Sequence, residues 1–168
     1  FSPRKTFAAV LITSPDKETT KNVVSQIPHE GINSFYLADF YNSFPEQHQI
    51  EGIPITNITA SNQREIYQYI ADTITEDYVI FLLMDGSQSP SEFSAMIAHA
   101  QLGKDLVIAT RFVPGGKYQE KVVFLNLRAV GNRIVTLFFN LMTNSNLTDS
   151  YQPFQCVSLD LMRSISFQ

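Results

Sequence analysis

Cysteine and histidine are scarce in this sequence: there is one cysteine, Cys156, and there are three histidines among 168 residues. A lone thiol excludes an intramolecular disulfide and any cysteine-rich zinc site. It fits a reducing compartment, so a cytoplasmic location is the expectation. His29, His48 and His99 have no metal-ligand spacing, and Cys156 has no basic or histidine neighbour in sequence, which marks all four as structural or exposed. Excess positive charge is lacking too. Twelve Lys and Arg stand against sixteen Asp and Glu, for a net charge of -4 and a pI near 5.3. The basic residues are scattered, which argues against the broad positive field that a nucleic-acid backbone requires. There is no run of about 18 apolar residues, the length a membrane-crossing helix needs, and no basic-then-apolar leader. The P-loop and dinucleotide fingerprints are both missing, since Gly115-Gly116 lacks the rest of either pattern. The chain begins at Phe1 and reads as a soluble piece of something larger.

What is present is an apolar fraction of 44%, with 12% aromatics. That is enough to bury one good core, so residues 1–168 are read as a single domain. Thr6 to Thr13 (TFAAVLIT) is an apolar run bounded by Ser14-Pro15 and predicts a buried strand. A helix follows, with Ser14 as its cap, Pro15 in its first turn, and Val23, Val24 and Ile27 on its inner face. Ile32 to Ala38 predicts a second strand, ending at Asp39. Asn42 to Ser61 is polar and broken by Pro45, Gly52 and Pro54, and reads as loop with a short edge strand at Ile53 to Ile55. Ile66, Tyr67, Ile70 and Ile74 recur at helical spacing within Gln63 to Thr75. Asp77 to Met84 is the most apolar strand, and its unbroken character predicts burial on both faces, as in a parallel sheet. Ser89-Pro90-Ser91-Glu92 opens a helix over Phe93 to Leu102, and Asp105 to Thr110 predicts another strand. This alternation specifies an α/β fold with a mostly parallel sheet flanked by helices.

Ligands of such sheets sit beyond the carboxyl ends of the strands. The residues there are Thr13, Ser14 and Asp16 after the first strand, Asp39 after the second, Asp85 after the most apolar one, and Arg111 after the last. A carboxylate at the position of Asp85 can hold a divalent cation that bridges nucleotide phosphates. Asp85-Gly86 can equally be a turn that leads into the next helix.

Leu83-Met84-Asp85-Gly86-Ser87-Gln88-Ser89-Pro90-Ser91-Glu92 resembles the Asp-x-Asp-Gly-Ser-x-x-Pro-Glu segment of family 2 glycosyltransferases. Asp105 to Gly116 resembles the strand and Ser-Arg-Tyr/Phe-x-x-Gly-Gly loop of dolichol-phosphate mannosyltransferases and their bacterial polyprenyl-phosphate relatives. Thr148 to Gln155 is similar to their Asp-x-x-Ser-Gly-Phe-Arg motif. The likeness covers roughly Asp77 to Ile165 and is topological before that. It implies a GT-A (Rossmann-like) fold and inverting transfer of a sugar from a UDP- or GDP-sugar to a polyprenyl (dolichyl-type) phosphate, assisted by Mg²⁺ or Mn²⁺. By this resemblance Asp85 holds the metal and the diphosphate, while Thr13, Ser14, Asp16 and Asp39 correspond to the nucleoside site. Arg111, Gly115, Gly116 and Asp149 line the diphosphate and acceptor side, and Arg111 and Arg128 stabilise the leaving diphosphate or bind the acceptor phosphate.

The chain departs from the family pattern at three places. Leu83 replaces the first aspartate of the pair, Ser14-Pro15-Asp16 replaces the usual first loop, and Pro153-Phe154-Gln155 replaces Gly-Phe-Arg, removing a phosphate-pairing guanidinium. These losses define an alternative, a catalytically impaired GT-A-like nucleotide-binding or regulatory or assembly module. Leu127, Val130, Ile134, Leu137, Phe138, Leu141 and Met142 share one face of an amphipathic segment, 127–142. Such a helix either packs on the core or lies at a membrane interface, where the resemblance places the lipid-linked acceptor at the cytoplasmic face. The resemblance also implies further acceptor-side elements beyond Gln168.

Overall fold

The two longest apolar runs lie side by side. β1 (Phe7–Ile12) pairs in parallel with β5 (Tyr78–Leu83) from Phe7 opposite Tyr78 to Ile12 opposite Leu83. On its other edge β1 pairs in parallel with β2 (Ser34–Ala38), and β2 pairs in parallel with β4 (Ile53–Asn57). The computed structural model describes residues 4–46, 48–109, 131, 134–138, 140–141 and 153–165. Two further strands complete one side and one edge: β7 (Gln155–Ser158), antiparallel to β5, and β3 (Gln49–Ile50), antiparallel to β4. With β6 (Leu106–Ile108) the sheet has seven strands in the order β3-β4-β2-β1-β5-β7-β6. Helices α1 (Lys17–Val24), α2 (Gln63–Thr73), α3 (Phe93–Gln101) and α4 (Leu159–Ser164) connect or follow the strands. The expected mixed α/β fold with a mostly parallel sheet is the one observed.

Burial on both faces of the sheet explains why β1 and β5 are apolar without alternation. Successive side chains of a strand point to opposite faces. Ala8, Val10, Val79 and Phe81 join Ile66, Ile70 and Ile74 of the α2 segment and Val157, Leu159 and Met162 in one buried cluster. The alternate residues Phe7, Ala9, Leu11, Tyr78, Ile80 and Leu82 are just as buried, and the rings of Phe7 and Tyr78 stack at 5.4 Å. At the amino ends of these strands, Thr6 N donates to Asp77 Oδ2 at 2.8 Å and Asp77 N to Thr6 Oγ1 at 3.0 Å, a reciprocal clamp that fixes the register.

The structure corrects several local expectations. The cap of α1 is Asp16, whose Oδ1 accepts from Glu18 N at 3.1 Å. Ser14 Oγ instead accepts from Asp16 N at 3.2 Å, so Pro15 lies before the helix. β4 is not an edge strand, because β3 folds back onto it through Glu51 and Gly52, both at positive φ (47° and 83°), the conformation of a type I′ hairpin turn. Pro54 is tolerated because pairing with β2 starts only at Ile55, so its missing N–H removes no ladder bond there. The strand expected over 105–110 is the short β6 within the described residues. β7 and α4 were not expected as elements, and β7 separates β6 from β5.

The chain divides into two compact units, Phe1–Val107 with Phe154–Gln168, and Ile108–Pro153. In the second unit the described helical residues are 131, 134–138 and 140–141. Ile134, Val135, Leu137, Phe138 and Leu141 are exposed there, whereas Thr136 is buried. Among the described residues no helix is long and apolar enough to cross a membrane.

Candidate functional site

Three strand ends converge because β1 lies between β2 and β5. Past Ile12, the chain stays bonded to both neighbours: Met84 N donates to Ile12 O at 2.9 Å, and Thr13 N to Ala38 O at 3.2 Å. This backbone continuity sets the segments beginning at Thr13, Asp39 and Asp85 next to one another at the carboxyl edge.

The first loop is built inward. Thr13 and Ser14 are buried, at 1% and 6% exposure. Thr13 Oγ1 lies 2.9 Å from Asp39 Oδ1 and 3.4 Å from Ala38 O. The Ser14 carbonyl accepts the hydroxyl of Ser43 at 2.6 Å. Asp16 is exposed; its Oδ2 accepts Thr19 Oγ1 at 2.5 Å. That bond, with the backbone N–H groups of Glu18 and Thr19, outweighs a small opposing effect of burial and holds the carboxyl below its ordinary pKa. A negative charge at this end of α1 is favoured by the helix dipole.

Asp39 organises the second loop. Its Oδ1 accepts Thr13 Oγ1 and, at 3.1 Å, Ser43 N; its Oδ2 accepts Phe44 N at 3.3 Å. Partial burial pushes its pKa up, but these bonds, with the N–H of Tyr41, pull it below the ordinary value. The loop rises from the sheet with Phe40 and Tyr41 exposed at 39% and 52%, and Asn42 follows at φ 49°.

The third segment is a tight turn. Asp85 is exposed, and its Oδ1 accepts Ser87 N at 2.9 Å and Ser87 Oγ at 2.5 Å. Gly86 has φ 78°, and a Cβ on it would stand 3.1 Å from Thr19 Cγ2, so this turn abuts the first turn of α1. Gln88, which the sequence did not single out, ties the turn to the sheet: its Oε1 accepts Leu83 N at 2.8 Å. Its buried Nε2 has no hydrogen-bond partner among the described residues.

The structure thus brings together Thr13, Ser14, Asp16, Asp39 and Asp85. Arg111, Gly115, Gly116, Arg128 and Asp149 lie outside the described residues. Among the described residues no group of three or more His, Cys, Asp or Glu is placed to hold a metal ion. Of the two exposed carboxylates here, Asp16 accepts on both oxygens, whereas Asp85 has no hydrogen bond to its Oδ2 among the described residues. One carboxylate fits a magnesium-type ion when phosphate oxygens and water supply the remaining ligands. The histidines 29, 48 and 99 are exposed. Cys156 is buried, and burial pushes its thiol up to about 12, which removes it as a nucleophile near neutral pH.

No family model matches this chain, and no curated protein matches its sequence. Among solved structures, 4-diphosphocytidyl-2C-methyl-D-erythritol synthase from Anaerococcus prevotii is similar at TM-score 0.50 and 13% identity, over 95% of this chain and 74% of that one. Residues 1–349 of TarS from S. aureus align at TM-score 0.43 and 10% identity, over 95% of this chain and 48% of that one. The likeness to the synthase shows a shared fold, the GT-A-like α/β architecture.

Proposed function

We propose that the carboxyl edge of β2, β1 and β5 binds the nucleotide of a UDP- or GDP-sugar, and that the chain transfers the sugar, with inversion, to a polyprenyl phosphate. The observation that carries this reading is the convergence of Thr13 to Asp16, Asp39 and Asp85 at one sheet edge. In a fold of this type that is where ligands bind. The synthase of similar fold, whose product carries a diphosphocytidyl group, adds support to a nucleotide-linked ligand.

In this reading Asp39 lies beside the nucleoside and Asp85 beside the diphosphate. Asp85 would provide one oxygen ligand to Mg²⁺ or Mn²⁺, and the cation would supply positive charge where the nucleoside diphosphate departs. The acceptor phosphate is already ionised at neutral pH, so attack on the anomeric carbon needs no strong general base. The motif resemblance assigns Arg111, Gly115, Gly116, Arg128 and Asp149 to the diphosphate and acceptor side. The exposed Ile134, Leu137, Phe138 and Leu141 support contact of segment 127–142 with a lipid or membrane surface.

A second reading, a catalytically impaired module that retains nucleotide binding, is favoured by one observation: Asp85 stands without a carboxylate at position 83, where Leu83 sits half-buried at the end of β5. Isothermal titration with UDP and GDP, with and without Mg²⁺ or Mn²⁺, on the wild type and on Asp85→Asn tests both. Metal-dependent binding lost in the variant supports the donor site. Absence of binding by either nucleotide sinks both readings. Sugar release from a UDP- or GDP-sugar only when polyprenyl phosphate is added then separates the transferase from the impaired module.

A further inference from the structure

The buried first loop raises the question of what reads the nucleobase. Thr13 and Ser14 have almost no surface. The Thr13 hydroxyl bonds Asp39 or Ala38, and the Ser14 carbonyl is taken by Ser43. These groups fix the edge from within and present little to a planar ring.

The adjoining loop does the opposite. The large aromatics Phe7, Phe35, Phe81, Phe93, Phe154 and Tyr78 are buried in the core, whereas Phe40 and Tyr41 are exposed directly after Asp39. Exposed rings on a mobile loop would be of little use to a ligand, because ordering them costs binding energy. Here the backbone around them is pinned. The Asp39 carboxylate accepts the N–H groups of Ser43 and Phe44, and the Ser43 hydroxyl reaches across to Ser14. The rings are therefore displayed, at the edge where the nucleotide would sit, on a segment already held in place.

We propose that Tyr41, with Phe40 beside it, is the stacking platform for the base of the bound nucleotide; this rests on the nucleotide-binding reading above and names the residues that carry its base affinity. Stacking of a base on an aromatic side chain is tolerant of base identity, so Tyr41 contributes affinity while the choice between UDP and GDP lies with other groups. Both rings are exposed, so replacing them leaves the buried core intact.

The test is titration of wild type, Phe40→Ala, Tyr41→Ala and Tyr41→Trp with UDP, GDP and inorganic pyrophosphate at saturating Mg²⁺, with a thermal melt of each variant. Tyr41→Ala is expected to weaken UDP and GDP about ten-fold or more, Phe40→Ala less, and Tyr41→Trp to restore binding, with pyrophosphate affinity and the melt unchanged throughout. Wild-type nucleotide binding that Tyr41→Ala and Phe40→Ala leave unaltered would overturn the platform while the nucleotide-binding reading stands. An equal loss for pyrophosphate would also overturn it, because the rings would then act through the loop rather than on the base. If the wild type binds neither nucleotide, both proposals fail.

Discussion

Asp39→Ala probes the hinge of the whole edge. The carboxylate accepts three hydrogen bonds at 2.9, 3.1 and 3.3 Å, from Thr13 Oγ1, Ser43 N and Phe44 N. Bonds to a charged group are each worth about 1.5–3 kcal/mol, so a simple sum reaches about 5–9 kcal/mol. Two features of the structure cut this down. Thr13 Oγ1 has a second acceptor in Ala38 O at 3.4 Å, and the two backbone bonds are only part-buried, so water replaces some of what is lost. The expected loss is about 2 kcal/mol, which for a chain of this size lowers Tm by about 4–8 °C. Asp39→Asn keeps an acceptor and should lose about half as much. The sign of the pH dependence follows from the lowered pKa. The stabilisation is complete above the unfolded-state value near 4 and disappears as pH falls through the lower folded-state value, so the variant and the wild type should converge in acid. Urea denaturation at pH 7 and at pH 3 measures both effects. A loss below about 0.5 kcal/mol at pH 7, or a difference that grows in acid, would refute the clamp.

Two other substitutions test features that hold the fold and the site turn in place. Arg163 of α4 donates through Nε to Ala71 O and through a terminal nitrogen to Ile74 O, each at 3.0 Å, closing the last turn of α2. Arg163→Ala should destabilise by about 1–2 kcal/mol in urea denaturation, and Arg163→Lys by less. Gly86→Ala places a Cβ in a left-handed backbone conformation and 3.1 Å from Thr19 Cγ2. It should cost about 1–2 kcal/mol, and Gly86→Asn, which tolerates that conformation, should cost less; equal melting temperatures for the two variants would contradict this.

The long apolar runs of β1 and β5 and the amphipathic α2 were legible because burial on two faces, or on one helix stripe, leaves a local pattern. β7 was not. Its partner in register is β5, with Cys156 opposite Ile80, a long-range pairing that no short window reveals, and only four residues carry it. Pro54 suggested an edge, and the hairpin that covers β4 depends on two left-handed residues, of which only Gly52 announces itself. At α1 two residues able to cap stand two apart, and the competition is settled by geometry: Asp16 reaches Glu18 N while Ser14 is drawn back to Asp16 N. The strand-end aspartates were legible from position alone. What each carboxylate bonds was not, since Thr13 and Asp39 meet only when β1 and β2 pair.

The same aspartates pose an electrostatic problem that bears on what the edge can bind. Asp16 and Asp39 are both held below the ordinary carboxylate pKa, so they are ionised at neutral pH, and exposed Asp85 lies on the turn that abuts α1. A diphosphate brought to this edge meets negative charge on several sides, and repulsion between unit charges about 4 Å apart runs from about 1 kcal/mol in water to about 4 kcal/mol near a protein surface. An uncharged nucleoside escapes that repulsion. In the reading proposed above, diphosphate binding at this edge therefore calls for a cation, such as a divalent metal, between the two. For the edge as a whole, then, nucleoside affinity and diphosphate affinity should respond differently to metal, and that difference follows from the charge of Asp16, Asp39 and Asp85.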